Sequence, residues 1–462
     1  MPERSSTGRT LLALALATGL GFGLLALRGA APDPALWALF GMGCATIAWI
    51  LLPIPPAYIA LATVAALAAL SVVPQAALTG LLGADIIWLM VGAFILGEAM
   101  TASQLAQRLN GFLLARAARV GQLFWMVSAV LLLLTYVIPS TSGRAAVLLP
   151  LHRSLGEMLD TRSLRALALL IPTIILVTTI ASLTGAGSHL IANDLLGELT
   201  GRRIGFLEWL LYGLPFAVAT AALSCLVVLR LFVPASARAR PLAIPVAPSG
   251  PWSRDERYVA IVAIAMLAMW LSEGLHGVGI ATSAMLGALL LTAPGAPLRW
   301  SRGVKAINLD LLVFVGAALL LGKALIETGA AAAVTAAMFA HLGFADGMNP
   351  LALIAGLSAL TLASHLLITS HAARAAALVP PLIALAATLK VDAAALVFIG
   401  TVGMNYCQTL PVSSKALLMF QGEEVGLRAA DLLRLSAVLA PAHLLLMIAF
   451  YFGYWRWVGL SL

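Results

Sequence analysis

Charged side chains are scarce in this chain of 462 residues, of which only 10% are Asp, Glu, Lys or Arg. Soluble domains carry about 25%. Hydrophobic residues make up 62% of the chain and the mean hydropathy is +1.02, more apolar surface than a water-soluble fold could cover. The apolar segments are long and continuous rather than alternating, which is typical of membrane helices and not of barrel strands. We therefore predict an all-α polytopic membrane protein.

Cysteines and catalytic motifs are also scarce. The three cysteines, Cys44, Cys225 and Cys407, lie in or near apolar segments, a distribution that indicates neither a disulfide framework nor a metal cluster. The sequence has no Walker-type phosphate loop and no Gly-x-Ser-x-Gly turn, which disfavours an ATP-driven pump and a serine hydrolase. We expect no cofactor and no enzymatic activity. An intramembrane enzyme stays open in principle, but no acid is placed to orient a Ser–His pair.

The net charge of +8 does not indicate a nucleic-acid partner. The basic residues are scattered between apolar segments, as the positive-inside rule produces. Arg4, Arg9 and the arginines of the Pro-rich loop 234–256 place these segments in the cytoplasm. The apolar run after MPERSSTGRT is interpreted as the first membrane helix and not as a signal peptide. The predicted location is the cell inner (plasma) membrane, with a cytoplasmic N-terminus and the lipid bilayer as surroundings.

A membrane-spanning helix needs about 20 apolar residues. About 11 segments fit: 10–27, 35–54, 57–74, 85–103, 163–182, 206–233, 257–273, 277–294, 308–327, 394–409 and 432–457. Two more apolar segments, 121–138 and 351–368, each lead into a repeated motif. That motif is STSGRAAVLLP at 140–150 and SHAARAAALVP at 370–380.

A second pair of similar fragments, WLMVGAFILGEAM at 88–100 and LVFVGAALLLGKAL at 312–325, precedes the motif pair at a similar distance. Several matched fragments in one order indicate an internal duplication. Each motif is predicted to form the tip of a re-entrant hairpin. If 121–138 crossed the membrane fully, the chain would have to cross back to place the basic residues at 153–165 in the cytoplasm, and residues 144–157 are barely long enough for that crossing. Helix breakers lie at both tips: Pro139, Ser140 and Gly143 in the first, Thr369 and Ser370 in the second.

The second half then enters the membrane from the opposite side, which gives the inverted repeat usual in secondary transporters. The predicted segments are the N-terminal helix 1–34 and the first repeat 35–233, with scaffold helices 35–119, hairpin 121–157, broken helix 163–198 and helix 206–233. The cytoplasmic linker 234–256 follows. The second repeat is 257–462, with scaffold helices 257–342, hairpin 351–388, broken helix 394–422 and helix 432–457.

The broken helices are signalled by SLTGAGSHLIAND at 182–194 and GMNYCQTLPVSSKALL at 403–418. Broken backbone is tolerated in a membrane only where it is buried in protein or lines a watery cavity. Four interruptions therefore predict one central polar site. The hairpin tips would offer helix N-termini and hydroxyl groups to an anion, with these residues as candidates: Ser140, Thr141, Ser142, Gly143, Thr369 and Ser370.

Arg144 and Arg374 follow the leading serine of each tip by four residues. Arginine within a membrane usually marks function, and two of them related by pseudo-symmetry would form a clamp for carboxylate, sulfonate or phosphate oxygens. Alternatively, each pairs with a local carboxylate or with helix carbonyls and only pins its hairpin.

Other titratable residues fall in the same segments. His189 and Lys415 occupy matching places in the two broken helices. They either add positive potential near the site or extend their charged ends to the membrane interface. His371 could sense protons or donate a hydrogen bond to a substrate. Glu98 and Lys323 lie at paired positions that allow a salt bridge. Four acidic residues are candidates for a proton-coupling site or for a counter-ion to an arginine: Glu98, Asp194, Glu273 and Asp310.

From about residue 35 onward, the order of these elements resembles the divalent anion/sodium symporter family. The likeness rests on the GAFILGEAM-type helix, the basic segment after it, the hairpin with a small polar tip, the broken helix, and the repetition of this set. The resemblance implies Ser-Asn-Thr tips that hold carboxylates beside sodium ions. It also implies a homodimer and an elevator movement of the hairpin domain against its scaffold.

This chain departs from the family pattern at several positions. Its tips read Ser140-Thr141-Ser142 and Ser370-His371-Ala372, and the family's Thr two places beyond each tip is Arg144 or Arg374. The family's Pro-Asn pairs become Ser188-His189 and Ser414-Lys415, so both serines join the candidate site. The sodium sites that the resemblance implies would lie near Ser140, Gly185, Ser370 and Pro411.

Our hypothesis from the sequence is a sodium-independent transporter of small anions, coupled to protons or working as an exchanger, since a fixed guanidinium supplies the charge that sodium would bring. Di- or tricarboxylates, sulfate and sulfonates all stay open as substrates. The alternatives are a conventional sodium-coupled dicarboxylate symporter, a cation/proton antiporter on the same architecture, and a membrane sensor that transports nothing.

Overall fold

A computed structural model gives the fold and describes residues 3–26, 33–105, 108, 117–136, 138, 140–242, 250–333 and 349–462. The predicted helix breaker Pro139, residues 243–249 of the predicted linker and residues 334–342 of the predicted second scaffold lie outside this part of the chain. The described residues form α-helices and short 3-10 helices, and they contain no β-strand beyond one isolated bridge between Arg119 and Pro241.

The first half of the chain contains eleven labelled helices in its described part. They are α1 (Glu3–Ala26), α2 (Asp33–Leu51), α3 (Pro56–Ala69), α4 (Gln75–Thr79), α5 (Asp85–Ala102), α6 (Val120–Leu134), α7 (Thr141–Ser154), α8 (Thr161–Val177), α9 (Gly187–Thr200), α10 (Phe206–Phe232) and α11 (Ala235–Ala239).

The described part of the second half follows a similar order of long helices and interruptions. Its helices are α12 (Arg254–Leu271), α13 (Glu273–His276), α14 (Ile280–Thr292), α15 (Trp300–Lys305), α16 (Leu309–Glu327), α17 (Pro350–Ala363), α18 (His371–Leu389), α19 (Ala393–Met404), α20 (Lys415–Gln421) and α21 (Ala429–Gly453).

Seven helical segments among the described residues are long and apolar enough to cross a membrane. They are Pro34–Leu51, Asp85–Ala102, Thr161–Ala181, Phe206–Phe232, Leu309–Glu327, His371–Leu389 and Ala429–Trp457. Shorter apolar helices lie between them, among them α3, α6, α14, α17 and α19. The prediction of an all-α polytopic membrane protein is confirmed. One arm of the second predicted hairpin, α18, has the length of a full span, whereas its counterpart α7 has 14 residues.

Glycines of the duplicated GAFILGEAM-type fragments permit close contacts between helices. A Cβ added to Gly92 of α5 would lie 2.6 Å from the Ala284 carbonyl oxygen of α14, and one added to Gly316 of α16 would lie 2.4 Å from the Leu81 carbonyl oxygen. A real Cβ could not occupy either position, so both halves keep glycine where another backbone approaches closely.

Five ion pairs between described residues join the two halves of the chain, and they fall into two groups. Three connect helix ends that the predicted topology places in the cytoplasm: Arg108–Glu256 at 2.6 Å, Arg153–Glu423 at 2.8 Å and Arg302–Glu98 at 2.6 Å. Two connect ends that it places outside: Arg202–Asp392 at 2.7 Å and Lys323–Glu198 at 3.8 Å. Each pair thus joins two residues that the predicted topology places on the same side of the membrane. The more exposed of these pairs, such as Lys323–Glu198, contribute only about 0–1 kcal/mol each.

The salt bridge expected between Glu98 and Lys323 is wrong. Glu98 accepts a hydrogen bond from Arg302, and Lys323 lies near Glu198 and Glu327. Each of the two side chains therefore has other charged partners in the folded chain.

The two groups of ion pairs predict opposite accessibility of residues beside them. In a Cys44→Ala background, whose remaining cysteines Cys225 and Cys407 are buried, we expect Ser154→Cys to react with a membrane-impermeant maleimide only in inside-out vesicles. Thr200→Cys should react only in intact cells, and the background protein serves as the control. Labelling of both positions from one side would contradict the inverted arrangement.

Candidate functional site

The first hairpin tip is the start of α7. Ser140 has an extended backbone and caps the helix, because its hydroxyl oxygen accepts a hydrogen bond of 3.1 Å from the Gly143 N–H. This cap satisfies one of the free N–H groups of the first turn. Ser140, Thr141 and Ser142 are half-buried, so their hydroxyls remain accessible from one side.

The second tip is built in the same way at the start of α18. The Ser370 hydroxyl oxygen accepts a hydrogen bond of 3.3 Å from the Ala373 N–H, and the backbone of Ser370 is extended. His371 is the first residue of the helix. Its Nε2 lies 3.1 Å from the Cys407 Sγ.

The two predicted broken helices are interrupted near the tips. Helix α8 ends at Val177, two short 3-10 turns follow, and α9 begins at Gly187. Helix α19 ends at Met404, and α20 begins at Lys415 with Ser414 as its cap. Each interruption therefore ends with the N-terminus of a second helix.

The N-terminal residues of all four of these helices line one cavity of about 380 Å³. Such a volume suits a small molecule. The hairpins and interruptions contribute hydroxyl groups from these residues: Ser140, Thr141, Ser142, Thr179, Thr184, Ser188, Thr369, Ser370, Ser413 and Ser414. The opposite wall is largely apolar and comes from α3, α5 and α16, with these residues: Pro56, Ala57, Met90, Ala93, Phe94, Leu311 and Phe314.

Four helix N-termini around one cavity give it positive potential without any charged side chain. Each contributes free N–H groups and the positive end of a helix dipole, equivalent to roughly half an elementary charge for a long helix. The ionisable residues that line the cavity are Asp310, His371 and Lys415. Lys415 is exposed and has no ion pair or side-chain hydrogen bond among the described residues, so its ammonium group is available to a ligand.

The structure brings nine of the thirteen predicted site residues to the cavity surface. They are Ser140, Thr141, Ser142, Ser188, Thr369, Ser370, His371, Ser414 and Lys415. The other four lie behind this surface: Gly143, Arg144, His189 and Arg374. The two arginines are therefore not arranged as a clamp exposed to the cavity in this conformation.

Arg144 is fully buried and binds the first interruption. One terminal nitrogen donates to the Thr135 hydroxyl oxygen at 2.6 Å, and the other donates to the Gly185 carbonyl oxygen at 3.2 Å. The Thr178 hydroxyl lies 3.5 Å from the first of these nitrogens. The Arg144 Nε has no partner among the described residues.

Arg374 is equally buried and binds the second interruption. One of its terminal nitrogens donates to the Tyr406 carbonyl oxygen at 2.8 Å, whereas its Nε and its other terminal nitrogen have no partner among the described residues. No carboxylate in the described part of the chain forms an ion pair with Arg374 or Arg144. Both guanidinium charges are therefore uncompensated by a protein anion.

Other side chains bind three more backbone carbonyls of the first interruption. The Trp209 Nε1 donates to Ile180 at 3.0 Å, the Tyr136 hydroxyl donates to Ala181 at 3.2 Å, and the His189 Nδ1 lies 3.0 Å from the Ser182 carbonyl oxygen. Space for this packing is tight, since a Cβ on Gly185 would lie 2.1 Å from the Thr179 carbonyl oxygen.

Asn405, which the sequence analysis did not single out, joins the two interruptions. Its Oδ1 accepts a hydrogen bond of 2.8 Å from the Ser188 hydroxyl, and its Nδ2 donates to the His189 Nε2. The Nδ1 of His189 is then the nitrogen that carries the proton. Asn405 lies in the quoted stretch GMNYCQTLPVSSKALL, where an amide between apolar residues was a signal that could have found it.

The acidic candidates are spread over several places. Glu98 pairs with Arg302, and Asp194 pairs with Arg203 at 2.7 Å. Asp310 lines the cavity, and Glu273 lines a second cavity of about 330 Å³ together with Asp194 and Arg203. Leu190 of α9 lines both cavities, so both border this helix.

Known proteins resemble this chain over most of its length. The sequence profile of the family described as the sodium:sulfate symporter transmembrane region matches residues 12–461. A "Membrane protein" of Cupriavidus necator strain H16 is 28% identical over 392 residues, which cover 80% of this chain and 74% of that protein. YflS of Bacillus subtilis strain 168, named provisionally as a malate transporter, is 24% identical over 279 residues, covering 56% of this chain and 57% of that one.

A solved structure has a similar fold. The YdaH transporter of Alcanivorax borkumensis, whose topology is described as unusual, superposes with a TM-score of 0.56 and 16% sequence identity. The superposition covers 92% of this chain and 99% of that one. At this identity the likeness concerns the fold alone.

Replacing Asn405 by leucine should destabilise the protein. The change leaves the Ser188 hydroxyl and the His189 Nε2 without their partner, and each unpaired buried group costs about 1–3 kcal/mol. We expect a lower midpoint of thermal unfolding for the purified protein. Thr401→Val is the matched control, because the Thr401 hydroxyl bonds only to the Val397 carbonyl of its own helix. Equal midpoints for the two variants would show that the bridge contributes nothing.

Proposed function

We propose that this chain, which belongs to the sodium:sulfate symporter family, moves small anions across the membrane. Unlike a sodium symporter, it would do so without sodium, with the buried arginines in place of the cations. The protein is an anion transporter of the membrane and not an enzyme. The observation that carries the proposal is the burial of Arg144 and Arg374 behind the two hairpin tips, with no carboxylate partner in the described part of the chain.

The positions of the arginines support the replacement of sodium. Arg144 binds the carbonyl of Gly185, and Gly185 and Ser140 are two of the residues near which the family resemblance places a sodium ion. A sodium ion binds carbonyl and hydroxyl oxygens, and here a guanidinium donates to the same kinds of atom. The charge of Arg144 is covalently fixed, so it stays beside the site whether or not a substrate is bound.

The anion would bind in front of the tips. Its oxygens would accept hydrogen bonds from N–H groups and hydroxyls at the four helix N-termini, as anions do at such termini. Lys415 would pair directly with a negative group, and His371 would donate or accept according to its protonation. The arginines would act on the anion through their field, which the low dielectric of the interior weakens less than water would.

A small dicarboxylate is the proposed substrate class. The cavity of about 380 Å³ accommodates a molecule of four to six carbon atoms, and the relative YflS is provisionally named for malate. Sulfate, a sulfonate and a tricarboxylate are the other anions to test beside the dicarboxylate. Exchange of one anion for another, or entry with protons, would replace the sodium gradient as the driving force.

An elevator movement is the proposed transport step. The polar groups come from the hairpins and interrupted helices, whereas the facing wall of α3, α5 and α16 is largely apolar, and an apolar wall lets a polar site slide past without breaking hydrogen bonds. The two cavities that border α9 support this movement, since each would be the opening of the site at one membrane face. A homodimer, which the family resemblance implies, would hold the scaffold still.

If Arg144 and Arg374 replace sodium, anion uptake by the parent protein should not depend on a sodium gradient. In proteoliposomes, uptake of labelled succinate by the parent should be equal with a sodium and with a choline gradient. Arg144→Thr/Arg374→Thr, which restores the family's residues, should lose most uptake in choline, by tenfold or more, and regain part of it with sodium. Arg144→Lys keeps the charge and should stay independent of sodium.

Arg299→Thr is the control, because Arg299 is an exposed arginine outside the cavity. If succinate is not transported, counterflow with a panel of anions identifies a usable substrate before the comparison. Uptake by the parent that rises steeply with sodium, and survives the double substitution, would return the protein to the conventional symporters.

Lys415 should determine substrate affinity rather than fold. Lys415→Gln removes the free ammonium group at the cavity surface, and we expect the KM for the anion to rise about tenfold with little change in maximal rate, as for a lost charge-assisted contact. Lys305→Gln, an exposed lysine elsewhere, is the control. An unchanged KM for Lys415→Gln would remove this residue from the binding site.

A further inference from the structure

A second group of arginines lines a cavity that shares no residue with the cavity of the hairpin tips. Arg162, Arg165, Arg230 and Arg434 line a cavity of about 410 Å³ together with a single acidic residue, Asp431. Arg162 and Arg165 come from the start of α8, Arg230 from the end of α10, and Arg434 from the start of α21. All three helices are long and apolar enough to span the membrane, so the cavity lies where the spans end.

The positive charges of these arginines outnumber the single carboxylate, Asp431, that lines the cavity with them. Among the described residues, none of the four side chains forms an ion pair or a hydrogen bond, and Arg434 makes only a cation–π contact, 5.6 Å from the Phe232 ring. Four positive charges against one carboxylate repel one another unless an external anion binds. Arginine is the side chain best suited to phosphate oxygens, because its fork of donors matches their geometry.

The surface below the cavity is apolar and exposed. Leu226 lies four residues before Arg230 on α10, and Val438 lies four residues after Arg434 on α21. Residues four apart share a helix face, and both aliphatic residues are deeper in the membrane than their arginines. Each is 41% exposed. A cationic cavity above exposed aliphatic side chains matches a molecule with an anionic head and hydrocarbon tails.

We infer that this cavity binds the phosphate group of an anionic phospholipid, with its acyl chains against α10 and α21. Basic pockets between membrane helices bind lipid head groups in this way. The adjoining cavity supports the assignment, since Arg230 also lines it together with Arg119, Arg238 and the partly exposed Trp125. Tryptophan is enriched at the depth of lipid head groups.

The test is native mass spectrometry of the purified protein with added phosphatidylglycerol or phosphatidylcholine of equal chain length. The parent protein should retain phosphatidylglycerol in preference to phosphatidylcholine. Each arginine near a lipid surface contributes about fivefold in affinity, so Arg165→Gln/Arg434→Gln should weaken this binding by about tenfold or more. Arg299→Gln/Lys305→Gln removes two exposed charges elsewhere and should leave it unchanged.

Three further measurements make the result decisive. Arg165→Lys/Arg434→Lys keeps the charge and should retain part of the binding, and Arg434→Gln alone serves if the double variant fails to fold. Inorganic phosphate at millimolar concentration should not displace the lipid. Displacement by phosphate, equal retention of the two lipids by the parent, or equal binding by the Gln variant and its control would each overturn the inference.

Discussion

Broken backbone inside a membrane must have its carbonyl oxygens satisfied by the protein, and the rest of this structure depends on that requirement. In the first interruption, four backbone carbonyls are bound by four different side chains: Trp209 at Ile180, Tyr136 at Ala181, His189 at Ser182 and Arg144 at Gly185. In the second interruption, Arg374 binds the carbonyl of Tyr406. The residues that stood out as ligands in the sequence thus hold the backbone that forms the site.

The same interruptions create the polarity of the cavity. Each one starts a new helix, and two interruptions with two hairpin tips bring four helix N-termini to one place. The cavity therefore attracts anions before any charged side chain is counted. The arginines add two fixed charges behind this surface, and Lys415 adds one at the surface itself. Structural and electrostatic roles coincide in Arg144 and Arg374, because one guanidinium both donates hydrogen bonds and carries charge.

The sequence predicts the class, the interruptions and the hydroxyl-rich tips because helix breakers and apolar runs act locally. It does not predict which way Arg144 points, since its partners Thr178 and Gly185 are distant along the chain and meet it only in the folded state. Asn405 was missed for a similar reason, as its two partners come from the other half. Glu98 and Lys323 do not pair, because Glu98 binds Arg302 and Lys323 lies near Glu198 and Glu327.

The central claim is that fixed guanidinium groups do the work of mobile sodium ions. The most direct measurement is the flux of labelled sodium that accompanies a known flux of labelled anion into the same proteoliposomes. We predict no sodium entry above that of protein-free liposomes while the anion enters. One or more sodium ions carried with each anion would contradict the account and would make the two buried arginines structural only.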